Sequence, residues 1–313
     1  METLKTLLKE LNEPEVNSSK QANISEAPEN ETLEDVLAEL NSLIGLDEIK
    51  GKVKELVNFL KVQKLRESKS LPTASNSLHS VFMGPPGTGK TTVARLIARV
   101  YKHLGILSKG HLVETDRSGL VAGYIGQTAI KVDELVKQAL GGVLFIDEAY
   151  SISSSSDNQR DFGKEALEVL LKRMEDHRKE FIVIVAGYPV EMKQFIESNP
   201  GLKSRFNQYF TFNHYEAKTL VGIFNIFCKK NAYNLSEEAE AKLLNIFKAA
   251  DKLKSDNYGN GRTARNLFER IIRTQANRIV EIKDVKTETI CLIEAADIPD
   301  IKKTAQEITT IVV

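Results

Sequence analysis

Apolar and polar positions along this chain fall into three successive patterns. From Thr32, Leu33, Val36, Leu37 and Leu40 share one face of a helix that ends near Asn41 and Ser42. Leu43-Ile44-Gly45-Leu46 interrupts it, and a second helix is predicted from Asp47 to about Glu67, with Asp47 as its N-cap. Ahead of both, Met1 to Asn12 predicts a short helix carrying Leu4, Leu7, Leu8 and Leu11 on one side. Glu13 to Glu31, rich in Asn, Ser and Glu and holding Pro14 and Pro28, predicts a flexible linker.

After a polar loop from Ser68 to Ser77, short apolar runs alternate with amphipathic stretches. Strands are predicted at Leu78 to Met83, Leu112 to Glu114, Val143 to Ile146, Phe181 to Ala186 and Tyr209 to Phe212. Helices fall between them at Lys90 to His103, Thr128 to Leu140, Gly163 to His177 and around Val190 to Glu197. Loops fill Asp116 to Gly126 and the serine-rich Ser151 to Asn158. Such alternation calls for an α/β fold, a parallel five-stranded sheet flanked by helices. Past His214 the strands stop. Tyr215 to Asn231, Ser236 to Lys252 and Arg262 to Lys283 predict a small C-terminal helical domain, with Ser236 capping its second helix. A short terminal strand is expected at Thr289 to Ile293, and Ala295 to Val313 carries no assignable pattern. Three parts result: a helix and linker over 1–31, an α/β domain over 32–214 and a helical domain over 215–313.

Composition changes this picture little and excludes some functions. The 313 residues are 42% hydrophobic and 27% charged, ordinary for a soluble globular protein. Lys and Arg number 43 against 43 Asp and Glu, so no global field recruits nucleic acid or an anionic membrane. The N-terminus lacks the apolar core of a signal peptide, and the longest apolar runs are too short to span a bilayer. Cys228 and Cys291 show no paired spacing and read as reduced thiols, which points to a cytoplasmic location.

Chemistry concentrates first at Met83-Gly84-Pro85-Pro86-Gly87-Thr88-Gly89-Lys90-Thr91-Thr92. Gly84, Gly87 and Gly89 can take backbone angles closed to other residues, so the loop can wrap an anion with inward N–H groups. The helix that follows adds the positive end of its dipole, Lys90 offers an ammonium for the β- and γ-phosphates, and the Thr91 hydroxyl is placed to ligate Mg²⁺. Alone, the pattern would also describe a glycine-rich turn with a surface lysine; a strand before and a helix after favour the phosphate cradle. Val143-Leu144-Phe145-Ile146 then delivers Asp147 and Glu148 at a strand's C-terminal end, where open α/β sheets bind ligands. In that setting Asp147 would hold Mg²⁺ through water, and Glu148 would act as general base on the water attacking the γ-phosphate.

Taken together, Gly84 to Thr91, Asp147-Glu148, Leu43-Ile44-Gly45-Leu46 and the trailing helices resemble an AAA+ ATPase. More narrowly the chain is similar to the CbxX/CfqX group, which includes red-type Rubisco activases and stage V sporulation protein K. The matching segments include Gly119 to Thr128, Phe145 to Tyr150, Ala186-Gly187-Tyr188 and Asn199 to Phe206, within a similarity running from about Asn41 to Pro299. The resemblance implies a ring, expected to be a hexamer, with ATP between subunits. It implies that Arg205 is an arginine finger reaching a neighbour's γ-phosphate. Arg262 best matches the sensor-2 position and Arg265 is the runner-up, while Ile44 and Gly45 match positions lining the adenine site. Where the broad AAA+ pattern ends its fourth strand in a polar sensor-1 residue, Ala186-Gly187-Tyr188 stands here, leaving Tyr188 a weak candidate.

The loop Gly123-Tyr124-Ile125-Gly126 would face the central channel of such a ring. Flanking glycines make it mobile, and the amphipathic ring of Tyr124, with Ile125, can grip a polypeptide without reading its sequence. Ser153 to Phe162 would form a second channel loop. The expected function is an ATP-hydrolysing ring that remodels a partner protein. The alternative, an AAA+ motor or loader on nucleic acid, is disfavoured by neutral charge and an aromatic channel loop. A small-molecule P-loop kinase would have no use for Glu148, Arg205 or the helical domain.

Overall fold

The strands Val143–Ile146 and Ile182–Gly187 are apolar on both faces, a pattern that only a sheet covered on both sides can bury. A computed structural model describes residues 22–28, 30–73, 77–124, 126–153, 162–253 and 258–310. The helix expected at Met1 to Asn12 and most of the second channel loop, 154–161, lie outside the described residues. The chain begins with β1 (Asn23–Ser25), α1 (Leu33–Ser42), α2 (Asp47–Ser68) and β2 (Ser80–Met83). It continues through α3 (Lys90–His103), β3 (Leu112–Thr115), α4 (Arg117–Leu120), α5 (Gln127–Ala139) and β4 (Val143–Ile146). After a 3₁₀ turn at Ala149–Ile152 come α6 (Phe162–Asp176), β5 (Ile182–Gly187), α7 (Pro189–Glu197), α8 (Pro200–Arg205) and β6 (Gln208–Thr211).

The strand order is β1-β3-β4-β5-β2-β6, with β3, β4, β5, β2 and β6 parallel to their neighbours and β1 antiparallel to β3. Successive side chains point to opposite faces of a strand. Val81, Leu144 and Val183 accordingly pack with Val132, Leu167 and Phe195 of α5, α6 and α7. Phe82, Phe145 and Ile184 enter the other layer, with Val36, Val53 and Ile97 of α1, α2 and α3. Each fully buried ring or branched chain contributes roughly 1.5–3 kcal/mol relative to exposure. The two layers fix α3, and with it the loop before it, against the carboxyl ends of β2 and β4.

The helical domain follows as α9 (Ala217–Lys230), β7 (Asn234–Leu235), α10 (Glu237–Asp251), α11 (Gly261–Val280), α12 (Thr287–Cys291), β8 (Leu292–Ile293) and α13 (Ile301–Thr310). Leu220, Phe224, Leu243, Phe247, Leu267 and Ile271 form its core. As expected, the Ser236 side chain accepts from the Ala239 N–H.

Several expectations need correction. Residues 23–25, assigned to the linker, add a sixth, antiparallel strand beside β3. Without it β3 would offer a row of unpaired peptide groups, whereas a three-residue edge offers little to a passing strand. The arm is also fixed to α3, since Arg99 Nε donates to both Glu31 carboxylate oxygens at 3.0 and 2.9 Å. The N-cap of α2 is Leu46 at φ +62°, not Asp47, which is already the first helical residue. A capping box forms instead at α1, where Thr32 and Asp35 exchange bonds. The expected loop after β3 contains the single turn of α4, capped by Asp116 through the N–H groups of Ser118 and Gly119. Thr287–Cys291 is helical and the terminal strand is only Leu292–Ile293. The unassigned tail forms α13, which packs on α10.

Candidate functional site

The phosphate loop leaves the end of β2 in a conformation that glycine makes possible. Gly84 N–H donates to Gly187 C=O at 3.0 Å, and Gly87 sits at φ +69° with its missing Cβ only 2.1 Å from the Gly259 C=O of the helical domain. Glycine permits both the backbone angle and that approach. Thr88 is fully buried and closes the loop internally, its hydroxyl donating to Pro85 C=O at 2.9 Å.

A cavity of about 280 Å³ opens over the loop. Gly84, Pro86, Gly87 and Gly89 supply its backbone floor, and Lys90, Thr91 and Thr92 the first turn of α3. Asp147 and Glu148 enter from the end of β4, Tyr188 from the end of β5, and Arg262 and Arg265 from the start of α11. Pro85 and Thr88 are inside the loop and do not line it. Lys90 Nζ donates to the carbonyls of Gly84 and Pro85 at 2.7 and 2.9 Å. Burial pushes this ammonium down to about 8; the Arg262 charge adds to the fall, and Asp147 and Glu148 oppose it. Glu148 holds a left-handed backbone at φ +48° and ψ 42°, a costly conformation for a non-glycine residue and one common at functional sites. Its N–H donates to Asp147 Oδ1 at 3.0 Å, which ties the two carboxylate-bearing residues together.

The donor set also suits a hard dication. Thr91 hydroxyl and Asp147 carboxylate both line the cavity and could serve as oxygen ligands, and among the described residues no group of three or more His, Cys, Asp or Glu could hold a metal by itself. Mg²⁺ fits that arrangement because it takes one or two protein oxygens and completes its shell with phosphates and water.

Other expected residues stand elsewhere. Ile44 packs on Gly222 of α9, and Gly45 on Tyr215 and Thr219, so both lie at the junction with the helical domain and outside the cavity wall. Arg205 does not line its own chain's cavity, and its Nη2 donates to Glu175 Oε2 at 3.0 Å. Tyr124 is 73% exposed between α4 and α5, and Ile125 lies outside the described residues. Gly123 helps to line a second cavity, about 470 Å³, shared with Asp116, Arg117 and Glu148.

Three contributors escaped the sequence reading. Thr91 Oγ1 donates to Glu114 Oε1 at 3.3 Å, and Glu114 is held in turn by Arg95 at 3.1 Å. Tyr215, whose phenol burial pushes up to about 12, donates to Thr88 C=O at 2.8 Å. Asn260 bonds to the loop at Pro86. Of the three only Asn260 lies beside residues that the resemblance singles out, Arg262 and Arg265. Tyr188, the weak sensor-1 candidate, does reach the cavity, with its ring 6.3 Å from that of Tyr150.

A parallel sheet, a glycine loop feeding a helix, two carboxylates at a neighbouring strand end and a helical cap define a P-loop nucleoside triphosphatase with a lid. Residues 80–214 match the ATPase family associated with various cellular activities (AAA), and residues 216–308 match the AAA lid domain. The chain belongs to this family of ATP-hydrolysing enzymes, and its relatives fall in the group named for CfxQ, stage V sporulation protein K and Rubisco activase. Stage V sporulation protein K of Bacillus subtilis (strain 168) is 43% identical over 249 residues, covering 79% of this chain and 77% of that protein. The CfxQ homolog of Galdieria sulphuraria is 41% identical over 292 residues, covering 92% and 95%. Ribulose bisphosphate carboxylase/oxygenase activase, chloroplastic, of Cyanidioschyzon merolae (strain NIES-3377 / 10D) is 41% identical over 248 residues, covering 79% and 84%. Among solved structures the FIGL-1 AAA domain in complex with ADP shares the fold, with a TM-score of 0.59 at 20% identity over 93% of this chain and 88% of that one. Among the described residues no helix is long and apolar enough to cross a membrane.

Proposed function

We propose that this chain is the subunit of an ATP-driven ring, expected to be a hexamer, that remodels a partner protein. The observation that carries the reading is Tyr124, a large aromatic 73% exposed beside open glycines at 123 and 126, on a segment that shares a cavity with Glu148. An aromatic held out in this way can grip polypeptide, and its loop borders the hydrolytic carboxylate. One relative's name, an activase of ribulose bisphosphate carboxylase/oxygenase, designates an enzyme as what that relative acts on.

In this reading Lys90 neutralises the β- and γ-phosphates, while the backbone of Gly84 to Gly89 surrounds them. Thr91 directly, and Asp147 through water, would hold Mg²⁺, which when bound offsets phosphate charge. Glu148 takes the proton of the attacking water, and Arg262, with Arg265 as the alternative, contacts the phosphates from the lid. Arg205, which does not line its own chain's cavity, serves a neighbour's. The alternative, action on nucleic acid, finds little support in a chain whose 43 basic and 43 acidic residues cancel. Cys228 and Cys291 are free, which supports a reducing compartment such as the cytoplasm.

The test compares ATPase stimulation by unfolded polypeptide and by DNA, in wild type and Tyr124→Ala. Stimulation by polypeptide that Tyr124→Ala abolishes is expected. Stimulation by DNA and by no polypeptide would overturn the reading.

A further inference from the structure

The lid meets the phosphate loop backbone to backbone. A Cβ on Gly87 would stand 2.1 Å from Gly259 C=O, and one on Gly261 would stand 2.8 Å from Gly87 C=O. The Gly261 N–H donates to that Gly87 carbonyl at 3.0 Å. Two side chains span this seam: Tyr215, whose phenol donates to Thr88 C=O at 2.8 Å, and Asn260. Asn260 is fully buried, at φ +47° and ψ −116°, a backbone conformation that favours glycine. Its Nδ2 donates to Pro86 C=O at 3.1 Å and to Tyr258 C=O at 2.7 Å, while Oδ1 accepts from the Tyr215 N–H at 3.0 Å. The amide therefore ties together the phosphate loop, the entry to α9 and the start of α11. Arg262 follows two residues later, where its own N–H donates to Gly259 C=O at 2.9 Å and its side chain lines the cavity.

We propose that Asn260 is a positioning residue for nucleotide binding: its amide clamps the start of α11 onto the Pro86 carbonyl so that Arg262 stands over the phosphates. A non-glycine residue in this conformation is hard to explain by packing alone, since Tyr258 and Tyr215 would pack equally well beside a glycine. The hydrogen bonds explain it, because glycine would supply the turn and lose them all, the contact with the His214 ring nitrogen included. This inference rests on reading Arg262 as a phosphate contact.

A double-mutant cycle on the full chain tests it, with mant-ATP and Mg²⁺ as the probe and thermal unfolding without nucleotide as the check on folding. Asn260→Gly keeps the backbone conformation and removes the amide; Asn260→Ser, also without amide donors, gives a second reading should the glycine variant fold poorly. Each is expected to weaken binding roughly tenfold, the loss of one or two hydrogen bonds. Arg262→Ala is expected to weaken it at least as much, and the Asn260→Gly/Arg262→Ala protein to bind no worse than Arg262→Ala alone. Multiplying losses would mean that Asn260 acts independently of Arg262, and wild-type affinity in both Asn260 variants would mean that the amide does not position it. Either result overturns the inference while leaving the arginine's role intact. Unchanged binding by Arg262→Ala would instead remove that role, and the inference with it.

Discussion

His79 offers a test of how the core beside Arg205 is built. Its ring is buried just before β2, 5.9 Å from that of Phe206, and Nδ1 accepts the Val183 N–H at 2.9 Å. Burial, then the charges of Arg205 and Arg178, push its titration down from 6.5 to about 4. The sign follows from proton counting. Between those values the unfolded chain binds a proton that the native chain refuses, so stability rises with pH through the window and falls as the solution is acidified. A native value of about 4 corresponds to about 2 kcal/mol lost between pH 7.5 and 5 from this one group. Asn at this position retains an oxygen able to accept from Val183 and cannot titrate. Urea unfolding of wild type and His79→Asn, followed by circular dichroism at both pH values, cancels other titrating groups in the difference. Wild type should lose about 2 kcal/mol more than the variant on acidification. With 5 histidines in the chain, ring NMR can also follow His79 directly. Equal acid sensitivity in the two proteins, or a His79 resonance titrating near 6.5, would refute the reasoning.

Other expectations bear on the site. Glu148→Gln should bind mant-ATP yet release phosphate about 10²–10⁴-fold more slowly, as removal of a general base requires; wild-type turnover would end that assignment. Arg205→Ala should lose hydrolysis only in the assembled state, and mixing it with a Lys90→Ala protein should restore some phosphate release; no recovery at any ratio would refute action in trans. Gly87→Ala must fit a Cβ 2.1 Å from Gly259 C=O at φ +69°, so mant-ATP affinity should fall by about tenfold or more as the lid is displaced; unchanged affinity would show that the lid contact is dispensable.

The sequence disclosed those parts whose information is local. Val143–Ile146 and Lys90–His103 stand where the pattern placed them, because four consecutive buried residues read as an interior strand and a strongly amphipathic stretch reads as a helix. The phosphate loop and the Asp147-Glu148 pair were legible for the same reason, each being a short contiguous segment with its own geometry. β1 was not, since its three residues are mostly exposed and become a strand only through β3. α4 is one turn, below the length at which periodicity shows, and Leu46 caps α2 through a left-handed backbone that no side-chain rule anticipates. In the site two of the three missed groups share a physical cause. Tyr215 reaches Thr88 across 127 positions of sequence and Asn260 reaches Pro86 across 174, and in both cases the acceptor is a backbone carbonyl.

That choice of acceptor bears on how the enzyme is assembled. A carbonyl accepts from any donor that the fold brings within reach, so it leaves no mark on its own residue type. Thr88, Pro86 and Gly87 each offer one to the helical domain, the first to Tyr215, the second to Asn260 and the third to the Gly261 N–H. Three of the loop's carbonyls, those of Pro86, Gly87 and Thr88, thus face the lid, an orientation that suits peptides whose N–H groups are to meet an anion on the other side. On the proposed reading, lid docking and phosphate binding are two sides of one peptide orientation: a substitution that reorients the loop is expected to disturb both, whereas one in the lid should disturb the first and reach the second only through it.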